Sequence, residues 1–138
     1  MKTQIYELKL KTTSAADVID ISDEVASCVG KSGVDNGLVT VTVPGSTASI
    51  TTIEYEPGVI EDLKRALERL APSNISYAHD AKWGDGNGYS HVRAALMKPS
   101  LSIPVKDGEM TLGTWQQIVL CDFDNKPRSR SVVVQILG

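Results

Sequence analysis

The chain has 138 residues, a length typical of one compact domain, and its composition is 41% hydrophobic and 22% charged. These proportions are those of a globular protein and exclude a disordered chain or a fibrous repeat. The formal net charge of −3 argues against nucleic-acid binding, which normally needs a basic surface, so residues 1–138 are predicted to form a single domain without a nucleic-acid partner.

The first predicted elements are a strand and a helix. Polar and apolar residues alternate in QIYELKL (4–10), as in a half-buried strand. The helix is predicted to begin at a cap on Ser14 and to end at Gly30. Its apolar face is formed by residues at helical spacing, namely Val18, Ile21, Val25 and Cys28 or Val29.

The N-terminus and the cysteines indicate the compartment. The opening segment contains no continuous apolar run, so it matches neither a secretory signal nor a membrane span. Cys28 and Cys121 form no CxxC pair and lie in apolar surroundings, which predicts buried free thiols. We therefore expect a cytoplasmic protein with no membrane partner.

The middle of the chain contains two predicted strands and two predicted helices. LVTVTV (38–43) and ASITTIE (48–54) are rich in β-branched residues and are separated by a bend at PGST. Pro57 suits the first turn of an amphipathic helix that ends before Pro72. HVRAALM (91–97) is predicted to be a short helix, although a strand fits almost as well. Ser90 would be its cap, and three residues would face inward: Val92, Ala95 and Leu96.

The C-terminal third is predicted to be an antiparallel meander. Its strands are LSIPV (101–105), MTLGTWQQIVLCDF (110–123) and RSRSVVVQIL (128–137), separated by the turns KDGE and DNKP. Trp115 is predicted to be a packing residue of the middle strand. Strands dominate without regular βαβ alternation, so the predicted fold class is α+β, a mainly antiparallel sheet with two or three inserted helices.

Both histidines of the chain lie at the ends of one acidic, glycine-rich segment, HDAKWGDGNGYSH (79–91). Neutral imidazoles are good transition-metal ligands, but His79 and His91 do not have the spacing that shares one helix face, so the fold must bring them together. The remaining donors of a mixed nitrogen and oxygen shell would be carboxylates: Asp80, Asp85 and Glu54. The alternative is structural, because loop histidines often only hydrogen-bond neighbouring backbone.

Two further features predict recognition of an anion. The alternating glycines around Asn87, including Gly88, let backbone N–H groups turn toward a phosphate. Arg128 and Arg130 share one face of a strand and are suited to bidentate recognition of phosphate or carboxylate. A turn-rich loop and a solvated edge strand explain the same residues without a ligand.

The roles of Glu54 and of the two glutamines in TWQQ each allow two interpretations. Glu54 ends a strand of hydroxyl residues, where it is either a general base or an exposed acid that complements the dipole of the following helix. Gln116 and Gln117 are unusual within a strand, because a buried amide needs partners for all its polar atoms. Gln116 and Gln117 therefore predict that this segment forms either the wall of a binding site or a contact between subunits.

From about residue 37 to the end, the sequence resembles the YjbQ family, also called the secondary thiamine-phosphate synthase enzyme family. The resemblance rests on GLVTVTVPGSTASI, EPGVIEDL, YAHD and the run from GNGYSH through LGTWQ to RSR. It implies an α+β homotrimer with histidine and acidic positions near subunit boundaries that hold a divalent metal, zinc or magnesium. The matching residues are Glu54, Asp62, His79, Asn87, His91, Trp115, Gln116, Arg128 and Arg130.

The resemblance also suggests roles for these residues. Glu54 and His79 are assigned to catalysis, and His79 and His91 to the metal. A phosphorylated or anionic small molecule is expected to contact the remaining set: Asn87, Gly88, Trp115, Gln116, Arg128 and Arg130. The implied activity is weak and of the thiamine-phosphate synthase type, although the chain has no DDxxD-like acidic cluster for magnesium.

Two positions depart from the family pattern. Family members commonly carry a histidine directly before their [ST][ST]A run, where this chain has Gly45, and an asparagine at the position of Ile53. Two functions therefore stay open. The chain is either a metal-assisted enzyme with an inter-subunit pocket, or a non-catalytic metal- or ligand-binding homotrimer whose activity is lost or reduced with the missing histidine.

Overall fold

Two antiparallel sheets and four helices make up the chain, which a computed structural model describes over residues 1–138. The elements are β1 (Thr3–Lys11), β2 (Val18–Asp20), α1 (Ser22–Ser32), β3 (Gly37–Thr42), β4 (Ala48–Ile53), α2 (Pro57–Leu70), α3 (Ala78–Trp83), α4 (Gly88–Met97), β5 (Ser100–Lys106), β6 (Glu109–Met110), β7 (Gln117–Asp122) and β8 (Ser129–Leu137). The predicted α+β class is confirmed, with four helices instead of two or three. None of them combines the length and apolar character needed to cross a membrane.

The two sheets differ in size and share one main core. The larger has the strand order β1-β8-β3-β5-β6 and the smaller β2-β7-β4. Along β8, Val132, Val134 and Ile136 are buried while their neighbours are partly exposed, as the period of a strand requires. These side chains join residues of α1, β4 and β7 in a cluster of 17 buried residues.

A second, smaller core attaches α2 and α4 to the smaller sheet. Leu67 of α2 and Ala94 of α4 pack with Val119, Cys121 and Phe123. This cluster positions α4, which carries His91, over β4 and β7. Both thiols are buried and free, as predicted for Cys28 and Cys121.

The segment between β3 and β4 carries the chain from one sheet to the other. β3 pairs with β5 and β8 in the larger sheet, whereas β4 pairs with β7 in the smaller. At this crossing Gly45 has φ +140°, a conformation that L side chains rarely adopt. The bend predicted at PGST is therefore a change of sheet.

The helix α2 forms as its sequence predicts. Pro57 occupies its first turn, and the Glu56 carboxylate accepts hydrogen bonds from the backbone N–H groups of Gly58 and Val59 at 2.9 and 2.8 Å. These two hydrogen bonds hold the pKa of Glu56 below its ordinary value. The helix ends at Leu70, two residues before Pro72.

The predicted start of the first helix at Ser14 is wrong. Residues Val18–Asp20 instead pair with β7 as an edge strand, and α1 begins only at Ser22. Asp17 accepts hydrogen bonds from the N–H and hydroxyl of Thr13 and caps no helix. A long-range strand pairing has prevailed over the local helical spacing, because β-branched side chains favour a sheet when a partner strand is available.

The prediction for α4 is right in type and wrong in detail. The helix begins at Gly88, and Ser90 is a buried residue inside it whose hydroxyl lies 2.5 Å from both Oδ1 of Asn87 and the carbonyl of Phe123. Three residues predicted to face inward are exposed instead: Val92, Ala95 and Leu96. The buried face includes Arg93, whose Nε donates to the Ala71 carbonyl at 3.0 Å and whose Nη2 donates to Glu68 at 2.6 Å.

The C-terminal meander is broken between β6 and β7. β6 pairs with β5 in the larger sheet, while β7 is the central strand of the smaller sheet. Residues 111–116 lie outside any strand. Trp115 is therefore 74% exposed, and its predicted packing role within a strand is wrong.

Candidate functional site

The connection between α3 and α4 brings the two histidines together. α3 is followed by Gly84 with φ +67°, and α4 begins at Gly88, where a Cβ would lie only 2.6 Å from the Cβ of Tyr77. This close approach requires glycine. The ring centroids of His79 and His91 lie 4.5 Å apart with an interplanar angle of 41°. The fold therefore joins the two ends of the segment that the sequence singled out.

Two carboxylates face the same nitrogen of His79. Nδ1 lies 3.4 Å from Oδ1 of Asp80 and 3.4 Å from Oδ1 of Asp85. One ligand atom from each of the three residues lies within 4.8 Å of the other two. Two donors bound to one ion at about 2.1 Å and at a tetrahedral angle are separated by roughly 3.4 Å. The spacing therefore fits a shared divalent ion.

Backbone amides fix both carboxylates in place. The N–H of Gly88 donates to Oδ1 of Asp80 at 2.9 Å, and the N–H of Asn87 donates to Oδ1 of Asp85 at 3.2 Å. Hydrogen bonds of this kind orient metal ligands before the ion arrives. The side chains of His79, Asp80 and Asp85 are 30%, 25% and 39% exposed, so solvent reaches the group.

Two backbone amides of the loop around Asn87 bind carboxylates of the chain itself. The amides of Asn87 and Gly88, predicted to face an anion, donate to the protein's own carboxylates. The Asn87 side chain is buried, and its Oδ1 accepts hydrogen bonds from the Ser90 hydroxyl and from the N–H of Asn125 at 3.2 Å. The backbone N–H groups of Asn87 and Gly88 and the side-chain oxygen of Asn87 are therefore used within the chain.

A cleft of about 350 Å³ opens beside His91. It is lined by Gly45, Ser46, Ala48, His91, Ala94, Ala95 and Pro99. The walls are small and mostly apolar, with the imidazole and the Ser46 hydroxyl as polar groups. Gly45, which stands where the family resemblance predicts a histidine, thus shares a cleft with His91.

Arg130 lies in a buried ion pair next to Gly45. Its Nε donates to Oδ2 of Asp122 at 2.6 Å, and its Nη2 donates to Oγ1 of Thr47 at 2.7 Å. The Arg130 side chain is 9% exposed and that of Asp122 is fully buried. The sequence predicts a phosphate or carboxylate partner for Arg130, and in the structure Arg130 pairs with the carboxylate of Asp122.

Arg128 pairs with a second acid of the same segment. Its Nε lies 3.0 Å from Oδ2 of Asp124, which also accepts a hydrogen bond from the Thr47 hydroxyl at 2.9 Å. Burial alone would raise the pKa of Asp124, but the hydrogen bonds from Arg128, Thr47 and the backbone N–H of Lys126, with the charge of Arg128, together outweigh it and hold the pKa below its ordinary value. The sequence patterns did not single out Asp122 and Asp124, although an acid at the end of a buried apolar strand and a second acid two residues later were a usable signal.

Glu54 and Trp115 lie in a different cleft, at the far end of β4. This cleft of about 500 Å³ is lined by Asp20, Asp23, Glu54, Tyr55, Glu56, Thr114, Trp115 and Gln117. β4 runs from Ala48, beside His91, to Ile53, a length of roughly 17 Å at about 3.3 Å per residue. Within one chain the structure therefore does not bring Glu54 into the histidine group.

The two other matching positions, Gln116 and Asp62, also make no hydrogen bond to the histidines. Gln116 closes the turn before β7, since its Nε2 donates to Oγ1 of Thr52 at 3.1 Å and its Oε1 accepts from the N–H of Gly113 at 3.0 Å. Asp62 is exposed on α2. Neither residue contacts the donors around His79.

Sequence comparison assigns the chain to one family. The profile of the UPF0047 protein YjbQ-like family matches residues 6–138. The chain belongs to this family. A UPF0047 protein of Archaeoglobus fulgidus is 40% identical over 131 residues, which are 95% of this chain and 99% of that protein. A UPF0047 protein of Methanothermobacter thermautotrophicus is 37% identical over 138 residues, 100% of this chain and 94% of that protein.

Solved structures of UPF0047 proteins share the fold. A YbjQ-like protein of unknown function from Sulfolobus solfataricus superposes with a TM-score of 0.88 at 31% identity, covering 99% of each chain. An uncharacterized conserved protein of the YjbQ/UPF0047 family from Clostridium acetobutylicum has a TM-score of 0.88 at 38% identity, covering 96% of this chain and 99% of its own. The YjbQ resemblance and the α+β fold it implied are confirmed.

Proposed function

We propose that this UPF0047 chain binds a divalent transition metal through His79, Asp80 and Asp85, and that it holds a phosphorylated or anionic small molecule beside that metal. The observation that carries the proposal is the pair of 3.4 Å separations between Nδ1 of His79 and two amide-fixed carboxylate oxygens. An imidazole combined with carboxylates suits zinc or manganese better than magnesium, which prefers oxygen ligands and water.

His91 occupies the position between the proposed metal and the cleft. Its ring contacts that of His79 and lines the cleft wall. Three protein ligands leave an open coordination position, which is typical of sites that bind a ligand at the metal. In this proposal His91 is either a fourth donor or a direct ligand contact, and the bound ion supplies positive charge to an oxyanion of the ligand.

In its catalytic form the proposal includes weak thiamine-phosphate synthase-type activity, as the family resemblance implies. His91 is then the group in the cleft wall that takes up or releases a proton, since imidazoles are the commonest general acids and bases, while His79 holds the metal beside it. Glu54 takes no part within one chain, because β4 separates it from both rings. If the wild type turns over thiamine-phosphate precursors and the His91→Ala variant does not, the result would support this catalytic form.

A non-catalytic binding protein is the second candidate. The observation that favours it is Gly45, which lines the cleft with no side chain where the family pattern carries a histidine. The cleft then offers a single imidazole. This candidate predicts metal and anion binding without turnover across the same panel of precursors.

We also propose that the chain assembles as a homotrimer, as the resemblance implies. Trp115 is 74% exposed and Tyr55 46% exposed in the cleft that contains Glu54, and exposed aromatic surface of this kind is typical of protein interfaces. Glu54 would then belong to a contact between subunits. Light scattering should give the mass of three chains, and the mass of one chain would contradict the proposal.

Calorimetric titration with propyl phosphate tests the functional proposal. The metal-free chain is titrated first, then the chain loaded with one equivalent of zinc. We expect zinc to increase the affinity for propyl phosphate at least tenfold in the wild type and to leave it unchanged in His79→Ala. Equal affinities with and without zinc in the wild type would contradict metal-assisted binding. Asp107→Asn, in an exposed turn remote from the site, is the control variant.

A further inference from the structure

Asn125 joins the loop between α3 and α4 to the segment that follows β7. Its side-chain Nδ2 donates to the backbone carbonyl of Asp85 at 2.9 Å, and its backbone N–H donates to Oδ1 of Asn87 at 3.2 Å. The position of a Cβ on Gly86 lies 3.9 Å from the same Nδ2. One asparagine from a different segment therefore contacts three consecutive residues of the loop.

The two acids of the candidate metal site differ in how their backbones are held. Asp80 lies within α3 and is fixed by the hydrogen bonds of that helix. Asp85 lies in no helix or strand, between two glycines of positive φ. Its carboxylate accepts the N–H of Asn87, but this hydrogen bond lies within the loop and cannot fix the acid relative to His79. Among side chains, only that of Asn125 hydrogen-bonds to the backbone of Asp85.

The side-chain amide of Asn125 keeps this contact although its own oxygen is left unpaired. Oδ1 is buried and has no hydrogen-bond partner. Buried polar atoms are normally paired, so an exception needs an explanation. Rotating the amide by half a turn would place Oδ1 against the carbonyl oxygen of Asp85, and two acceptors cannot bond to each other. The hydrogen bond to Asp85 therefore sets the orientation of the amide.

We infer that Asn125 is a positioning residue of the candidate metal site, which holds the Asp85 carboxylate opposite Nδ1 of His79 without binding the ion itself. The inference deepens the proposed function and rests on it for the presence of a divalent ion. Solvent reaches the side chains of all three proposed ligands, whereas Oδ1 of Asn125 is buried, so this asparagine acts through Asp85. Groups that orient a ligand in this way change metal affinity by about 10–100-fold.

Zinc affinities of single and double variants test whether Asn125 acts through Asp85. Asn125→Leu removes the Nδ2 donor at nearly equal side-chain size, and Asn125→Ala removes it by truncation. Each should lower zinc affinity about tenfold in competition with a zinc-chelating dye. In the Asp85→Ala background the same substitutions should change the affinity less than about twofold, because the ligand that Asn125 positions is already gone. An unchanged affinity in the single variants, or an undiminished loss in the double variants, would overturn the inference.

The matched control is Asn36→Leu. Oδ1 of Asn36 accepts the backbone N–H of Asp107 at 3.4 Å in an exposed turn of the larger sheet, so this variant also loses one hydrogen bond of an asparagine side chain. Its zinc affinity should stay within about twofold of that of the wild type, because the turn belongs to neither segment of the site. A loss as large as that of Asn125→Leu would contradict the inference.

Cobalt(II) provides a measurement that a general loss of stability does not change. Its visible absorption bands depend on the number and geometry of its ligands. At saturating cobalt(II), Asn125→Leu should lose the bands of the wild type and show those of Asp85→Ala, because the Asp85 carboxylate no longer occupies its coordination position. A spectrum of Asn125→Leu equal to that of the wild type would refute the positioning role.

The order of the loop in the metal-free protein separates this inference from the proposed function. We expect 15N order parameters of about 0.85 for the Asp85 and Gly86 amides in the wild type, and below about 0.6 in Asn125→Leu. If the wild type binds no zinc and the order parameters fall as expected, the metal proposal fails and the positioning of Asp85 stands. If zinc binds, and both the affinity and the loop order are unchanged in Asn125→Leu, the positioning role is refuted and the metal site stands.

Discussion

Nδ1 of His79 lies 3.4 Å from Oδ1 of Asp85, although α3 ends and the chain reverses between the two residues. The reversal uses Gly84 and Gly86, whose φ angles of +67° and +65° are in the left-handed region. The Asp85 carboxylate then accepts the N–H of Asn87. The glycine-rich composition of this segment thus positions an acid against a histidine.

This arrangement predicts unequal roles for the two histidines in metal binding. His79→Ala removes the only nitrogen of the three-donor group and should lower zinc affinity by about 100-fold or more, whereas His91→Ala should lower it less than about tenfold. Competition with a zinc-chelating dye measures both affinities. A larger loss in His91→Ala than in His79→Ala would contradict the proposed donor set. Circular dichroism spectra should remain unchanged in both variants.

The depressed pKa of Asp124 predicts how stability depends on pH. A carboxyl group with a folded-state pKa below its ordinary value of 3.8 stabilises the fold above that value, and the contribution is lost as the pH falls through the folded-state pKa. Asp124→Asn should therefore flatten the loss of stability below about pH 4 and cost about 1–2 kcal/mol at pH 7, because Thr47 and the backbone N–H of Lys126 lose a charged acceptor, whereas Arg128 is 46% exposed and stays solvated. Urea unfolding at several pH values measures both effects.

The control for that experiment is Asp107→Asn. Asp107 is an exposed turn residue with φ +53°, a conformation that asparagine tolerates. Its unfolding curves should follow those of the wild type at every pH. If the free energy of unfolding of Asp124→Asn fell at low pH as steeply as that of the wild type, the pair of Asp124 with Arg128 would not govern stability in acid.

Gly45 and Gly30 provide a matched pair of glycine substitutions. Gly45 has φ +140° and a Cβ there would crowd Arg130, so Gly45→Ala should destabilise the chain by about 1–3 kcal/mol, and Gly45→His should do the same. Gly30 lies in α1 with open space around its Cβ position, so Gly30→Ala should stabilise the chain by about 0.5–1 kcal/mol. Thermal unfolding compares the variants, and a stabilised Gly45→Ala would contradict this description of the crossing.

The buried thiols predict slow reaction with thiol reagents. Burial raises the pKa of Cys121 to about 11, and burial also raises the pKa of Cys28. The reactive thiolate is therefore scarce at pH 8, and the reagent has no access. Ellman's reagent should titrate neither cysteine in the native protein and both in guanidinium chloride. Rapid titration of one thiol in the native state would contradict the buried position.

Much of the fold was accessible from local sequence patterns. β1 and α2 appear where alternation and capping predict them, because each depends on its own side chains and on nearby caps. Val18–Asp20 and the face of α4 were mispredicted, because a distant strand and the buried Arg93 determine them. Spacing within a segment contains no information about such partners.

The candidate site was also predictable only where it depends on local sequence. His79 and His91 could be selected because both histidines flank one glycine-rich segment, and the fold does join them. The ion pairs of Arg128 and Arg130 with Asp124 and Asp122 could not be predicted from spacing, since they depend on how β8 and the segment after β7 are placed. The separation of Glu54 likewise depends on the direction of β4.

The most direct test of the metal proposal is anomalous diffraction from crystals grown with zinc. The proposal predicts one strong peak within about 2.3 Å of Nδ1 of His79 and of one oxygen from each of Asp80 and Asp85. Data collected above and below the zinc absorption edge identify the ion. A peak that contacts His91 but none of the three predicted donors, or no peak in crystals equilibrated with excess zinc, would contradict the proposal.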